Sequence, residues 1–184
     1  MGYRLSKIYT RTGDDGTTSL GNGSRIAKDS PRITVIGDVD ELNSVVGMVL
    51  AYADSDPIRQ CLTEIQQDLF NLGAELSVPE QVVIAKSDVQ RLEHVLDGLN
   101  KDLPPLKEFV LPGGGASAAT CHLARAVCRR SERAAVALAR SEFVNPQALV
   151  YLNRLSDLLF VMCRVLARDS GYAEALWRST TEGE

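Results

Sequence analysis

The sequence predicts an all-α fold, a five-helix bundle preceded by a Gly/Thr-rich N-terminal loop that orders on binding its ligand. Apolar residues recur three and four apart in separate stretches after about residue 37, the spacing that gathers them on one helix face. Prolines and cap-forming residues punctuate those stretches where helices start and stop. No strand–helix alternation is visible, so a Rossmann or P-loop sheet is not expected. The 184 residues, 45% hydrophobic and 24% charged, suit one domain, 1–184, with a full core. Within it, 1–36 reads as a polar, glycine-rich N-terminal segment, 37–168 as the bundle and 169–184 as a polar tail.

Thr10 to Ser24 reads TRTGDDGTTSLGNGS, with four Gly and six Ser or Thr. This composition disfavours a helix or a buried strand. It suits a loop that offers N–H groups and hydroxyls to an anion, although a solvated N-terminus would look the same. The first helix is expected over 38–53 through Val39, Leu42, Val46, Val49 and Ala53, with Asp38 and Glu41 as a capping box. In the second, Asp56-Pro57 supplies cap and first-turn proline, Ile58, Leu62, Ile65, Leu69, Leu72 and Leu76 follow, and Pro79 closes it. Ser87 and Gln90 open a shorter helix through Val89, Leu92, Leu96 and Leu99, which Pro104-Pro105 stops. After the turn FVLPGGG comes an alanine-rich helix, about Ala116 to Arg140, whose small residues let neighbours approach closely. Asn145-Pro146 caps the last helix, carried by Ala148, Leu152, Leu155, Leu159, Met162 and Leu166. The tail from Ser170 is expected to be mobile, with Trp177 able to dock.

Composition removes several function classes. No apolar run reaches the length of a membrane span, and no secretory signal is present. Gly2 and Ser6 fit a short acylation pattern that nothing else supports. Four cysteines (Cys61, Cys121, Cys128, Cys163) form no C-x-x-C pair and read as buried thiols in a reducing cytoplasm; with only His94 and His122 beside them, zinc is not expected. The net charge of −4 hides an asymmetry: residues 1–36 carry six bases and three acids, 37–108 five bases and fourteen acids, and 121–168 eight Arg and three acids. Two basic segments flanking an acidic middle suit a small polyanion better than nucleic acid.

Four places could carry chemistry. One is the opening loop with Arg11, Asp14, Asp15 and Lys28. Another is Asp38, Asp40 and Glu41, which equally suit a helix N-terminus. The third is the arginine row Arg125, Arg129 and Arg133 with Glu132 beside it, since like charges one turn apart call for anionic partners or plain solvation. The fourth is Asn153 and Asp157, polar residues within an apolar rhythm. Phe109, ahead of the glycine turn, reads either as core or as a flat apolar wall beside a large ring. No G-x-x-x-x-G-K-[ST] sequence occurs, so any ATP is bound without a Walker loop.

KIYTRTGDDGTTSL, RIAKDSPRI, GDVDELNSVVG, FVLPGGG, RAVCRRSER and NRLSDLLF occur in that order between about Lys7 and Arg168. In series they resemble the PduO-type ATP:cob(I)alamin (corrinoid) adenosyltransferases. The resemblance implies a cytoplasmic homotrimer with sites at subunit interfaces. Its partners would be a flavoprotein reductase and an adenosylcobalamin-dependent enzyme, with no nucleic acid and no membrane. Thr10, Arg11, Thr12, Gly13, Asp14, Gly16 and Thr17 match the loop around the triphosphate, and Lys28 a phosphate-contacting lysine. Asp40 matches the acid that pairs with the arginine at Arg125. Arg129 and Glu132 match contacts to ATP and its Mg²⁺, Asn153 a further nucleotide contact, and Phe109 the aromatic under the corrin ring.

The implied reaction is attack of cob(I)alamin on C5′ of ATP with departure of tripolyphosphate. Reduced cobalt is the nucleophile, so neither a side-chain nucleophile nor a general base is required, and the sequence offers no Ser-His-Asp or Cys-His arrangement near a motif. A non-catalytic ATP- or corrinoid-binding module and a nucleoside triphosphatase are the rival classes.

Overall fold

The computed structural model describes residues 9–178. Gly2, Ser6 and Lys7 lie outside the described residues, as does the tail from residue 179. Five helices make up most of the chain: α1 (Pro31–Tyr52), α2 (Asp56–Ser77), α3 (Lys86–Asn100), α4 (Gly115–Leu138) and α5 (Pro146–Asp169). α4 packs against α5 and α1, α2 against α1, and α3 against α5. Two short antiparallel strands, β1 (Thr17–Ser19) and β2 (Arg25–Ala27), pair Thr18 with Ile26 ahead of the bundle. The glycine-rich segment is therefore a small hairpin as well as a loop.

The periodic residues do what their spacing predicts. Ile58, Leu62, Ile65, Leu69, Leu72 and Leu76 of α2 are all buried, and so are Ala148, Leu152, Leu155, Leu159, Met162 and Leu166 of α5. They belong to one core shared with α1, α3 and α4. Small side chains on α4 bring its backbone close to α5, and the thiols of Cys121 and Cys128 donate to the carbonyls of Leu159 (3.3 Å) and Leu152 (3.2 Å). All four cysteines are free and buried. Among the described residues no helix is long and apolar enough to cross a membrane.

Three boundaries differ from expectation. α1 starts at Pro31, not near Asp38, because Ser30 caps it by accepting from the Ile33 N–H, with proline in the first turn. Asp38 and Glu41 thus lie inside the helix, where both accept from Arg130 of α4. The cap of α2 is Ser55 rather than Asp56. α3 begins at Lys86, and the Asp88 carboxylate accepts from the Ala85 N–H at 2.8 Å.

The tail does not stay loose where it is described. The Leu111 N–H donates to the Ala175 carbonyl and the Trp177 N–H to the Phe109 carbonyl, each at 2.8 Å, and Val110 and Leu176 form an antiparallel bridge. Arg164, 4% exposed, holds Glu174 and the Pro104 carbonyl. The glycine turn fits beneath: a Cβ on Gly114 would meet Ala167 at 2.6 Å and one on Gly115 the Tyr172 ring at 2.7 Å, and both have positive φ.

Arg32 joins three ends of the bundle. Only 3% exposed, it donates to Glu142 (2.7 Å) and to the carbonyls of Leu76 (2.9 Å) and Phe143 (3.2 Å). Arg32→Ala leaves these acceptors without a donor and is expected to cost about 3 kcal/mol, since the carboxylate partner is part-exposed. For a chain of this size that lowers Tm by roughly 10 °C. A calorimetric shift under about 3 °C would count against that role.

Candidate active site

Phe109 is 79% exposed, so it is not a core residue. The tail fixes its backbone, and Trp177 meets its ring edge-on with centroids 6.5 Å apart. The ring looks over a cavity of about 510 Å³ lined by Leu106, Val110, Arg125 and Phe160. A second cavity of about 560 Å³ shares Phe109, Arg125 and Phe160 and extends to Arg129, Arg154 and Asp157. The cleft is therefore apolar under Phe109 and basic along α4, as a large planar ring with a polyanion beside it requires.

The Arg125 Nε is buried and has no hydrogen-bond partner among the described residues. A buried guanidinium N–H without an acceptor is costly, so one is expected from outside the chain. Asp40 does not supply it within the subunit. It lines a different groove, between α1 and α2, with Ile36, Phe70 and Gly73, where Phe70 is 74% exposed. The salt bridge between α1 and α4 belongs instead to Arg130, through Asp38 and Glu41.

Glu132 and Asn153 do come together: the Asn153 amide donates to Glu132 at 2.9 Å. Asp157 is engaged by Arg154, which also donates to Glu93. Arg129 and Arg133 are exposed and make no ion pair among the described residues. Their charge is available to an anion.

The loop residues form their own cluster. Lys28 Nζ donates to the Gly13 carbonyl at 2.8 Å, and the hydroxyls of Thr10 and Thr12 share a hydrogen bond of 2.8 Å. Asp15 accepts from the Thr17 hydroxyl (2.7 Å) and N–H (2.9 Å). These bonds, with the Arg25 charge, hold its carboxyl below the usual carboxylate range. Arg11 and Gly16 have positive φ, 62° and 83°, and the Arg11 guanidinium lies over the Tyr9 ring. Asp14 is exposed. The hairpin docks on the end of α2 through Gly21 N–H to the Ser77 carbonyl, 2.7 Å. No hydrogen bond or ion pair among the described residues joins this loop to Arg125, Arg129, Glu132 or Asn153, so one chain displays the site as two separate walls.

Sequence reasoning missed Arg25, Arg130 and the strap of Glu174 to Trp177. Arg25 is an exposed residue of β2 beside the half-buried Ile26 and leaves no signal; the strap is a long-range pairing whose one signal is Trp177, an aromatic able to dock from a polar tail.

Across residues 8–166 the chain matches the family model described as cobalamin adenosyltransferase. The chain belongs to that family. It is 52% identical over 183 residues to a cobalamin adenosyltransferase of Cupriavidus metallidurans, covering 99% of this chain and 100% of the relative. It is 46% identical over 188 residues to a corrinoid adenosyltransferase of Mycobacterium tuberculosis, with coverages of 97% and 96%. A solved variant of the PduO-type ATP:corrinoid adenosyltransferase from Lactobacillus reuteri, complexed with cobalamin and ATP, superposes with a TM-score of 0.88 at 35% identity. The match covers 94% of this chain and all of that one (100%).

For a member of this adenosyltransferase family the strap has a direct consequence. Ending the chain after Ser170 removes the pairing that fixes Phe109. Turnover is expected to fall about tenfold while the KM for ATP stays within twofold. Equal loss in both parameters would assign the tail to stability alone.

Proposed function

We propose that this chain transfers the 5′-deoxyadenosyl group of ATP to the cobalt of cob(I)alamin, releasing tripolyphosphate. The observation that carries the reading is Phe109, a large apolar side chain held exposed over a cleft whose Arg125 lacks an acceptor. Burying it would stabilise the fold more; displaying it suits a wall for the corrinoid. An apolar wall excludes water and the lower axial ligand, because it offers no lone pair to cobalt, and so favours the reduced four-coordinate substrate.

Reduced cobalt attacks C5′, the C5′–O bond breaks, and the electron pair leaves on tripolyphosphate. The protein's work is alignment and charge stabilisation. Thr10, Arg11, Thr12, Gly13, Asp14, Gly16, Thr17 and Lys28 would hold the triphosphate, with Arg129 meeting it from α4 and Glu132 and Asn153 contacting the nucleotide. Among the described residues no group of three His, Cys, Asp or Glu could cage a metal. A single carboxylate nevertheless fits Mg²⁺, which binds through one or two carboxylates plus substrate phosphates. Glu132 would hold it, and it would supply charge neutralisation on the phosphates.

The two walls would meet between subunits. The Asp40 groove on α1 and the Arg125 cleft on α4 offer opposite charge and exposed apolar surface, which supports a homotrimer with Asp40 of one copy against Arg125 of the next. The reading includes a flavoprotein reductase as electron donor, an adenosylcobalamin-dependent enzyme as acceptor of product, and a cytoplasmic location. Four free thiols support the last.

Mixing the protein with ATP, Mg²⁺ and chemically reduced cobalamin is expected to give the visible spectrum of an alkylcobalamin and one tripolyphosphate per turnover. An unchanged spectrum would mean a binding module, and ADP with phosphate a triphosphatase.

A further inference from the structure

We propose that Arg25 is a positioning residue that turns the Thr12–Asp14 backbone into a receptor for polyphosphate. The inference rests on the loop being the triphosphate site. Arg25 Nη2 takes the Thr12 carbonyl at 2.6 Å, while Lys28 Nζ takes the Gly13 carbonyl at 2.8 Å. In a trans peptide the N–H points opposite to the C=O. Holding the Thr12 carbonyl against Arg25 therefore turns the Gly13 N–H away from the guanidinium, with Lys28, assigned to phosphate above, left out of the clamp. The N–H groups of Gly13 and of Asp14 after it have no acceptor among the described residues. Successive N–H groups facing one way bind anions, and a carbonyl swung into their place would repel one.

Arg25 is built for this and not for touching the ligand. Its Nε donates to the Thr17 hydroxyl at 3.0 Å, Nη1 to the Ser19 hydroxyl at 3.4 Å, and Nη2 also reaches the Thr17 hydroxyl and Asp15. Asp15 in turn fixes Thr17 by both its N–H and its hydroxyl. The guanidinium is thus spent on loop oxygens and its charge is met by Asp15. Several acceptors at fixed angles need the planar fork of arginine; a lysine ammonium reaches only some of them.

The test is calorimetric binding of inorganic tripolyphosphate and of ATP to the full chain. Arg25→Met is expected to weaken both about tenfold, and Arg25→Lys nearly as much, with adenosine binding unchanged. If Arg25→Lys keeps wild-type affinity while Arg25→Met loses it, Arg25 acts as a point charge on the phosphate and the proposal fails. Asp15→Ala gives an independent check. Deleting a negative charge near a polyanion tightens binding on charge alone, whereas loosening the clamp weakens it; about threefold weaker binding is expected, and tighter binding overturns the inference. Tripolyphosphate that does not bind the wild-type chain overturns it as well. A chain that binds tripolyphosphate with this pattern but forms no alkylcobalamin leaves the clamp standing and rejects only the adenosyl-transfer reading.

Discussion

Phe109→Ala is expected to leave the protein folded and its ATP affinity within twofold of wild type, while turnover with cob(II)alamin and a reducing flavoprotein falls on the order of 100-fold, about 2.7 kcal/mol of barrier. The folding half follows from exposure. A side chain 79% exposed leaves no cavity when truncated, so neither the transfer nor the cavity term of a core deletion applies in full. The catalytic half follows from what alanine admits. On the proposed function, water or the corrinoid's own base would then reach the lower face of cobalt, and reduction would become harder. The loss should shrink when cob(I)alamin is supplied ready-made, because the reduction step is bypassed. Parallel assays with the two cobalt states separate these effects. A variant equally slow with both would show that Phe109 positions the ring and does not tune its reduction.

The second large effect is expected at Arg125. On the proposal that each site is built from two copies, Arg125→Ala should convert the assembly to smaller species in light scattering and lower activity by more than 100-fold. The Nε that finds no acceptor within the chain is what motivates this. On the same proposal Asp40→Ala should do the same, leaving the buried Arg125 Nε unpaired. The exchanged pair Asp40→Arg with Arg125→Asp should recover assembly mass better than either single change. Unchanged mass together with unchanged activity in Arg125→Ala would reject the interface role.

The bundle was legible because its signals are local and redundant. Six apolar residues on α2 and six on α5 keep one spacing, and a proline stands in the first turn of each helix. α1 was misread at its start for a physical reason. Asp38, Asp40 and Glu41 look like an acidic first turn, yet Ser30-Pro31 combines a side-chain acceptor with a residue that has no N–H to satisfy, and the helix begins there. The acids serve Arg130 from across the bundle, a contact between residues some ninety positions apart. The site was less legible still. By physical reading alone a lone Phe109 ahead of a glycine turn is most often core, and only the series of motifs points to the wall. The tail's pairing with residues 109–111 depends on backbone groups, which carry no residue-type signature.

The strap that closes over Phe109 is made by residues 174–177, which are synthesised after all five helices. A nascent polypeptide can complete its five helices and still lack the strap that holds the aromatic wall in place. Competence therefore follows the helices, as a step distinct from folding of the core. Messages cut short between α5 and the strap would yield protein that keeps its core and turns over about tenfold more slowly. Such molecules would still carry the Asp40 and Arg125 grooves, and on the proposed assembly they could enter mixed trimers with intact subunits. A truncating allele would then poison assembly in proportion to its share of the pool, where a destabilised core variant would only be cleared.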